Sequence, residues 1–266
     1  MGAIVSALAF PNPPREGPDS SSDVLQDRPD LVWLKTASRE RIPAIYIQRR
    51  DTPLTLLYSH GNAEDLGLIL PYLDYMSEQC QCSVFCYEYP GYGMATGSEA
   101  DEELCYEAIR AAYLYLQDQH FKKPQDIVLF GRSLGSGPTV DLAATLPDLA
   151  GCVLQSPLES GIRAFLGTAA SFALYYLDIF RSYEKIRKIS CPVFIMHGEN
   201  DTVVPCRNGQ NLYAALQERP HHNKVDYEPL WIAGRGHNDM PEYECLMSIR
   251  VFLEWVQDEG FYPRKK

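Results

Sequence analysis

Short apolar runs alternate with stretches of helical spacing along most of this chain. Residues 31–38 and 42–48 read as an opening antiparallel pair of strands. Further strands are expected at 54–59, through Cys82 and Cys86, at 126–130, 151–155 and 191–198, and more weakly at 226–233. A helix is expected from about Glu64 and Asp65, another ends at His120, and a third covers 136–146 and stops before Pro147. Strand and helix in alternation predict a mainly parallel sheet with helices on both faces. Residues 1–30, with Pro13, Pro14 and the run Ser20, Ser21, Ser22, read as a flexible lead, and residues 31–260 as one domain. No repeat is evident.

The chain has 266 residues, enough for one α/β domain with a sizeable core. Its net charge of −11 argues against nucleic acid as a partner. Eight cysteines in a chain of this length do not make a disulfide scaffold, and reduced core thiols are expected. Cys80 and Cys82 have no second pair at zinc spacing, so no metal site is expected.

The chemistry concentrates at Gly131-Arg132-Ser133-Leu134-Gly135, between a strand and a helix. That pattern is the nucleophile elbow, a strained turn that lifts a serine hydroxyl above the sheet edge. The flanking glycines suit a close approach of strand and helix. An acid and a histidine must follow in that order, each after a later strand. Asp201 follows the strand at 191–198, with Glu199 as its close competitor, and Asp201 is preferred because it lies further out on the loop. His237 follows the last strand in Gly234-Arg235-Gly236-His237. Ser133 is then the nucleophile, His237 the general base and acid, and Asp201 the group that holds the histidine tautomer. His60 and His197 are expected to pack in turns, His221 and His222 to be solvated, and His120 to complement a helix end. Two backbone amides should form an oxyanion hole: that of Leu134 and that of Asn62, with Ala63 as the alternative to Asn62.

Five segments occur in order: Ser59–Asp65, Glu88–Gly93, Gly131–Thr139, Ser156–Gly161 and Gly234–Asp239. Together they resemble the α/β-hydrolase fold and, more narrowly, the α/β-hydrolase domain-containing 17 family of membrane-associated protein depalmitoylases. The resemblance extends over residues 31–252, and residues 7–14 also match the family's segment before the domain. It implies the triad Ser133, Asp201, His237 and long-chain S-acyl groups on proteins as substrates; this chemistry needs no cofactor, and none is expected. Two features depart from the family. The chain has no cysteine before Cys80 where the family has an N-terminal cysteine cluster, and Glu88 stands where aspartate is usual.

Met1-Gly2-Ala3-Ile4-Val5-Ser6 matches the N-myristoylation pattern, with Gly2 as acceptor. One myristoyl chain binds bilayers marginally, with an association constant of about 10⁴ M⁻¹, so a second contact is required. Residues 4–10 or an apolar active-site mouth could supply it. The expectation is a cytoplasmic protein that associates reversibly with the cytoplasmic membrane face.

The interval between 155 and 193 is too short for a large cap domain. It holds Ala164, Phe165, Leu166 and residues 172–176, which form a short helical flap with an exposed apolar face or else pack on the sheet. A thiolate leaves readily, its parent thiol having a pKa of about 8.5, so a triad with an open apolar mouth suits thioesters and esters before peptides, and the resemblance points to S-acylated proteins. Lipid esters cleaved by a carboxylesterase or lysophospholipase are the alternative, and a catalytically silent hydrolase-fold binding module is the remote one.

Overall fold

The computed structural model describes residues 21–62, 64–97, 99–219 and 227–258. Gly2 and the rest of residues 1–20, Ala63, His221 and His222 lie outside the described residues. The elements in chain order are α1 (Ser21–Gln26), β1 (Leu31–Lys35), β2 (Arg41–Ile47), β3 (Thr55–Ser59), α2 (Leu66–Cys80), β4 (Ser83–Tyr87), α3 (Glu102–His120), β5 (Ile127–Arg132), α4 (Ser136–Ala143), β6 (Gly151–Gln155), α5 (Gly161–Leu166), α6 (Thr168–Ala173), α7 (Ser182–Lys185), β7 (Val193–Gly198), α8 (Arg207–Gln217), β8 (Leu230–Ile232) and α9 (Glu242–Asp258).

The eight strands form one sheet in the order β1-β2-β4-β3-β5-β6-β7-β8. β1 and β2 pair antiparallel, β2 pairs antiparallel with β4, and every later pairing is parallel. The interior strands are apolar on both faces because helices cover both. On β5, Ile127 and Leu129 pack with Ile109, Val140 and Leu212 from α3, α4 and α8. The alternate residues Val128 and Phe130 pack with Leu70 and Ile249 from α2 and α9. Burying each such side chain contributes about 1.5–3 kcal/mol. The helices begin where polar side chains cap their first amides: Asp65 accepts from the Leu68 amide and Asp101 from the Leu104 amide.

The expected α/β-hydrolase architecture, short flap included, is the one observed. The differences are local. β8 is only three half-buried residues, since it lies at the sheet edge and follows Pro229. The helix expected over 136–146 ends at Ala143 and is preceded by a 3₁₀ turn, Ser133–Gly135. Within the span assigned to the flexible lead, α1 buries Leu25 against the α2 side of the sheet, and Arg28 bridges Asp30 and Asp74. The packed unit therefore includes residues 21–30; a helix of six residues is too short to show a period. His120 does close α3, but its ring packs edge-on against Tyr46, and burial lowers its pKa and favours the neutral form. All eight cysteines are unpaired and buried.

Candidate active site

The parallel strands end together at one edge of the sheet, and the turns beyond β3, β5, β7 and β8 gather the polar residues there. Ser133 follows β5 with φ +51°, in the left-handed region that non-glycine residues rarely adopt. The turn holds because its glycines admit close neighbours. A Cβ on Gly131 would come within 2.6 Å of the Gly135 carbonyl, and one on Gly135 within 2.1 Å of the Ser59 carbonyl.

His237 Nε2 lies 3.0 Å from Ser133 Oγ, and His237 Nδ1 lies 2.7 Å from Asp201 Oδ2. A carboxylate has no proton to give, so Nδ1–H donates to Asp201 and Nε2 accepts from the serine hydroxyl. Asp201 is fixed from the other side as well. Its Oδ1 accepts from the amides of Val203 and Val204, both at 2.8 Å. Its Oδ2 also receives the Nε2–H of His197 at 3.2 Å, a bond shared with the Val204 carbonyl at 2.8 Å. Burial alone would raise the Asp201 pKa, but the hydrogen bonds from His197, His237 and the Val204 amide outweigh it. The carboxyl is held well below the usual range. Glu199, the rival acid, is exposed on the same loop.

Asn62 sits in the turn beyond β3 and Leu134 in the elbow beyond β5, and the pairing of Ser59 with Gly131 sets these two turns side by side. A buried carboxylate braces the first turn. Glu88 Oε1 accepts from His60 Nε2 at 2.9 Å and from the Tyr89 amide, while Oε2 accepts from the Leu66 amide. His60 Nδ1–H donates to the Gly61 carbonyl at 2.9 Å. The Tyr89 hydroxyl donates to the His60 carbonyl, and that of Tyr92 to Asn62 Oδ1. Gly61 N–H donates to Glu64 Oε2 at 2.7 Å.

Arg132, next to the elbow serine, joins these loops. Its guanidinium pairs with Glu64 and donates to Asn238 Oδ1 at 2.9 Å, which connects the turn beyond β3 to the residue after His237. His60 and His197 are buried at strand ends, as expected of turn-packing residues. Each also contacts a carboxylate, a role sequence reasoning missed along with that of Arg132. The motif His-Gly at the end of both β3 and β7 is the only trace of it in the sequence.

The segment after β6 buries Leu158, Ile162, Ala164 and Phe180 and exposes Leu166, Phe172 and Tyr176. The inner side of the flap thus packs on the domain and its outer side is an apolar surface. Among the described residues no helix is long and apolar enough to cross a membrane.

The family model of the prolyl oligopeptidase family matches residues 163–259. The chain is 36% identical over 231 residues to the human α/β hydrolase domain-containing protein 17B, covering 86% of this chain and 76% of that protein. It is also 36% identical over 223 residues to the α/β hydrolase domain-containing protein aho-3 of Caenorhabditis elegans, covering 83% of this chain and 64% of that one, just under two thirds of its length. Among solved structures, the esterase Pf2001 of Pyrococcus furiosus superposes with a TM-score of 0.69 at 18% identity, covering 92% of this chain and 97% of the esterase. At that identity the superposition shows the fold alone. With the fold, the relatives and the serine elbow in agreement, the chain belongs to the α/β-hydrolase domain-containing 17 family and is a serine hydrolase.

Proposed function

We propose that the protein removes long-chain acyl groups from protein cysteines, with Ser133 as nucleophile, His237 as general base and acid, and Asp201 as the group that orients His237. The continuous hydrogen-bonded path from Ser133 through His237 to Asp201 carries this reading. Ser133 Oγ attacks the thioester carbonyl while its proton passes to His237 Nε2. The amides of Asn62 and Leu134 take the oxyanion; one such donor contributes on the order of 3 kcal/mol. Collapse of the tetrahedral intermediate breaks the C–S bond, and the departing sulfur takes the proton from His237. Water, activated by the same histidine, then attacks the acyl-serine and releases the fatty acid, restoring Ser133. No cofactor enters these steps.

The exposed apolar side of the flap supports a bulky acyl substrate and a membrane surface as the place of work. Gly2 as a myristoylation site supports the same setting, with the flap as the second contact a single acyl chain requires. A Gly2→Ala variant should leave the membrane fraction of cell lysates. If it pellets with membranes as wild type does, the acyl anchor is wrong.

A lipid-ester hydrolase is the second reading, since the same open apolar surface would admit lipid esters. The experiment compares long-chain thioester and oxoester substrates of matched structure on vesicles, with Ser133→Ala as the blank. A Ser133-dependent preference for the thioester is the expected result. Equal or faster oxoester turnover would move the assignment to lipid esters.

A further inference from the structure

A cavity of about 230 Å³ opens beside His237, on the sheet face covered by α2 and α9. The flap lies across the opposite face, where Ala164 and Phe180 join the core beneath α3 and α4. The two sides of the serine therefore differ in chemistry. The flap exposes Leu166, Phe172 and Tyr176. The cavity combines the apolar walls of Tyr58, Ile69, Tyr72 and Met240 with hydrogen-bond acceptors.

Gln155 is the decisive acceptor. It ends β6 beside Arg132, is 8% exposed, and lines the cavity. Its Oε1 is buried without a hydrogen-bond partner, a cost that a buried polar atom rarely carries unless something else completes it. The carboxylates of Glu64 and Glu242 also border the cavity. Among the described residues that line it, the one lysine or arginine, Arg132, is engaged by Glu64 and Asn238. Burial pushes the phenols of Tyr58 and Tyr72 up, so both rings stay neutral and present apolar faces. A long apolar stem ending in a positive charge matches such a lining: the methylenes lie along the rings and the charged head meets oxygen.

His237 delivers its proton to the leaving atom, so the leaving polypeptide lies on the His237 side of the serine. We infer that the cavity beside His237 is a subsite for a lysine or arginine side chain of the polypeptide that carries the acyl group. This inference rests on the proposed mechanism for the side from which the polypeptide departs.

The test uses S-octanoyl peptides identical except for one residue near the cysteine, which is lysine, norleucine or glutamate, placed in turn at each flanking position. At the matching position lysine should exceed norleucine in kcat/KM by about tenfold, the worth of one hydrogen bond to a charged group, and glutamate should fall below both. Gln155→Met and Glu242→Gln should each bring the lysine-to-norleucine ratio toward one. Because the readout is a ratio of two substrates on the same enzyme, a loss of folded protein cancels. A ratio near one at every position in the wild type, or a preference that survives both substitutions, would overturn the inference. The same series as O-octanoyl serine peptides separates the two ideas. If oxoesters turn over faster, the thioesterase reading fails while the lysine ratio still tests the subsite.

Discussion

Alanine in place of Ser133 is expected to lower kcat on a long-chain thioester by about 10⁶-fold, the scale seen when a triad serine is removed. Ser133 Oγ is the atom His237 Nε2 faces at 3.0 Å, and no other nucleophile replaces it in the hydrogen-bonded path. Some rate above the uncatalysed reaction should persist, because the amides of Asn62 and Leu134 would still meet an oxyanion formed by attacking water. The fold should be retained. Serine and alanine carry the same Cβ, so the left-handed backbone at φ +51° costs both residues alike. The variant loses a hydroxyl and one hydrogen bond at the mouth of the site, worth about 1 kcal/mol. Single-turnover kinetics with a thermal melt checks both halves. More than about 1% of wild-type kcat in a homogeneous preparation would show that Ser133 is not the nucleophile.

The fold was legible because its strands are continuous apolar runs. Gly151–Gln155 forms as expected since a strand buried on both faces has no polar position to blur its ends. β8 was expected too long because an edge strand carries a weaker pattern. The places of Ser133, Asp201 and His237, each beyond a strand and joined by hydrogen bonds, were legible too, since the order along the chain is constrained. The polar ties behind them were not. Arg132 and Asn238 are 106 residues apart, and His60 and Glu88 are 28 apart. The first pair joins the turns beyond β5 and β8, which β6 and β7 separate in the sheet, and the second joins the turns beyond the neighbouring β3 and β4; no local pattern encodes either placement. His197 illustrates the limit. Its place at a strand end was readable, but its contact with Asp201 depends on how the loop after β7 folds back upon the Asp201 carboxylate.

Asparagine in place of Asp201 is expected to reduce kcat by about 10⁴-fold, with a stability change that depends on pH. The carboxylate accepts four hydrogen bonds, from His237, His197 and the amides of Val203 and Val204. An asparagine offers one oxygen. If that oxygen turns to the Val203 and Val204 amides, the NH₂ faces His237 Nδ1, which must then give up its proton. The proton moves to Nε2, where it points at Ser133 and the ring can no longer act as base. If the oxygen turns to His237, the NH₂ opposes two backbone N–H groups and the loop loses its anchor, at a cost of about 1–3 kcal/mol for each unsatisfied donor. Either orientation fails, but the first costs less stability and the second spares the tautomer, so kinetics and melting together identify which one forms. The acid limb adds an independent check. The Asp201 carboxyl titrates in the folded state below its unfolded value of about 3.9. It therefore stabilises the fold above that pH and loses this contribution as the pH falls toward the folded value. Wild type should thus melt above Asp201→Asn at neutral pH, and the two curves should converge below about pH 4. A constant gap down to pH 2 would mean that Asp201 does not bear the charge that holds His237. A Glu199→Gln control, at the exposed neighbouring carboxylate, should leave kcat unchanged and alter unfolding stability by no more than about 0.5 kcal/mol, which separates a charge held by four donors from one that merely lies close by.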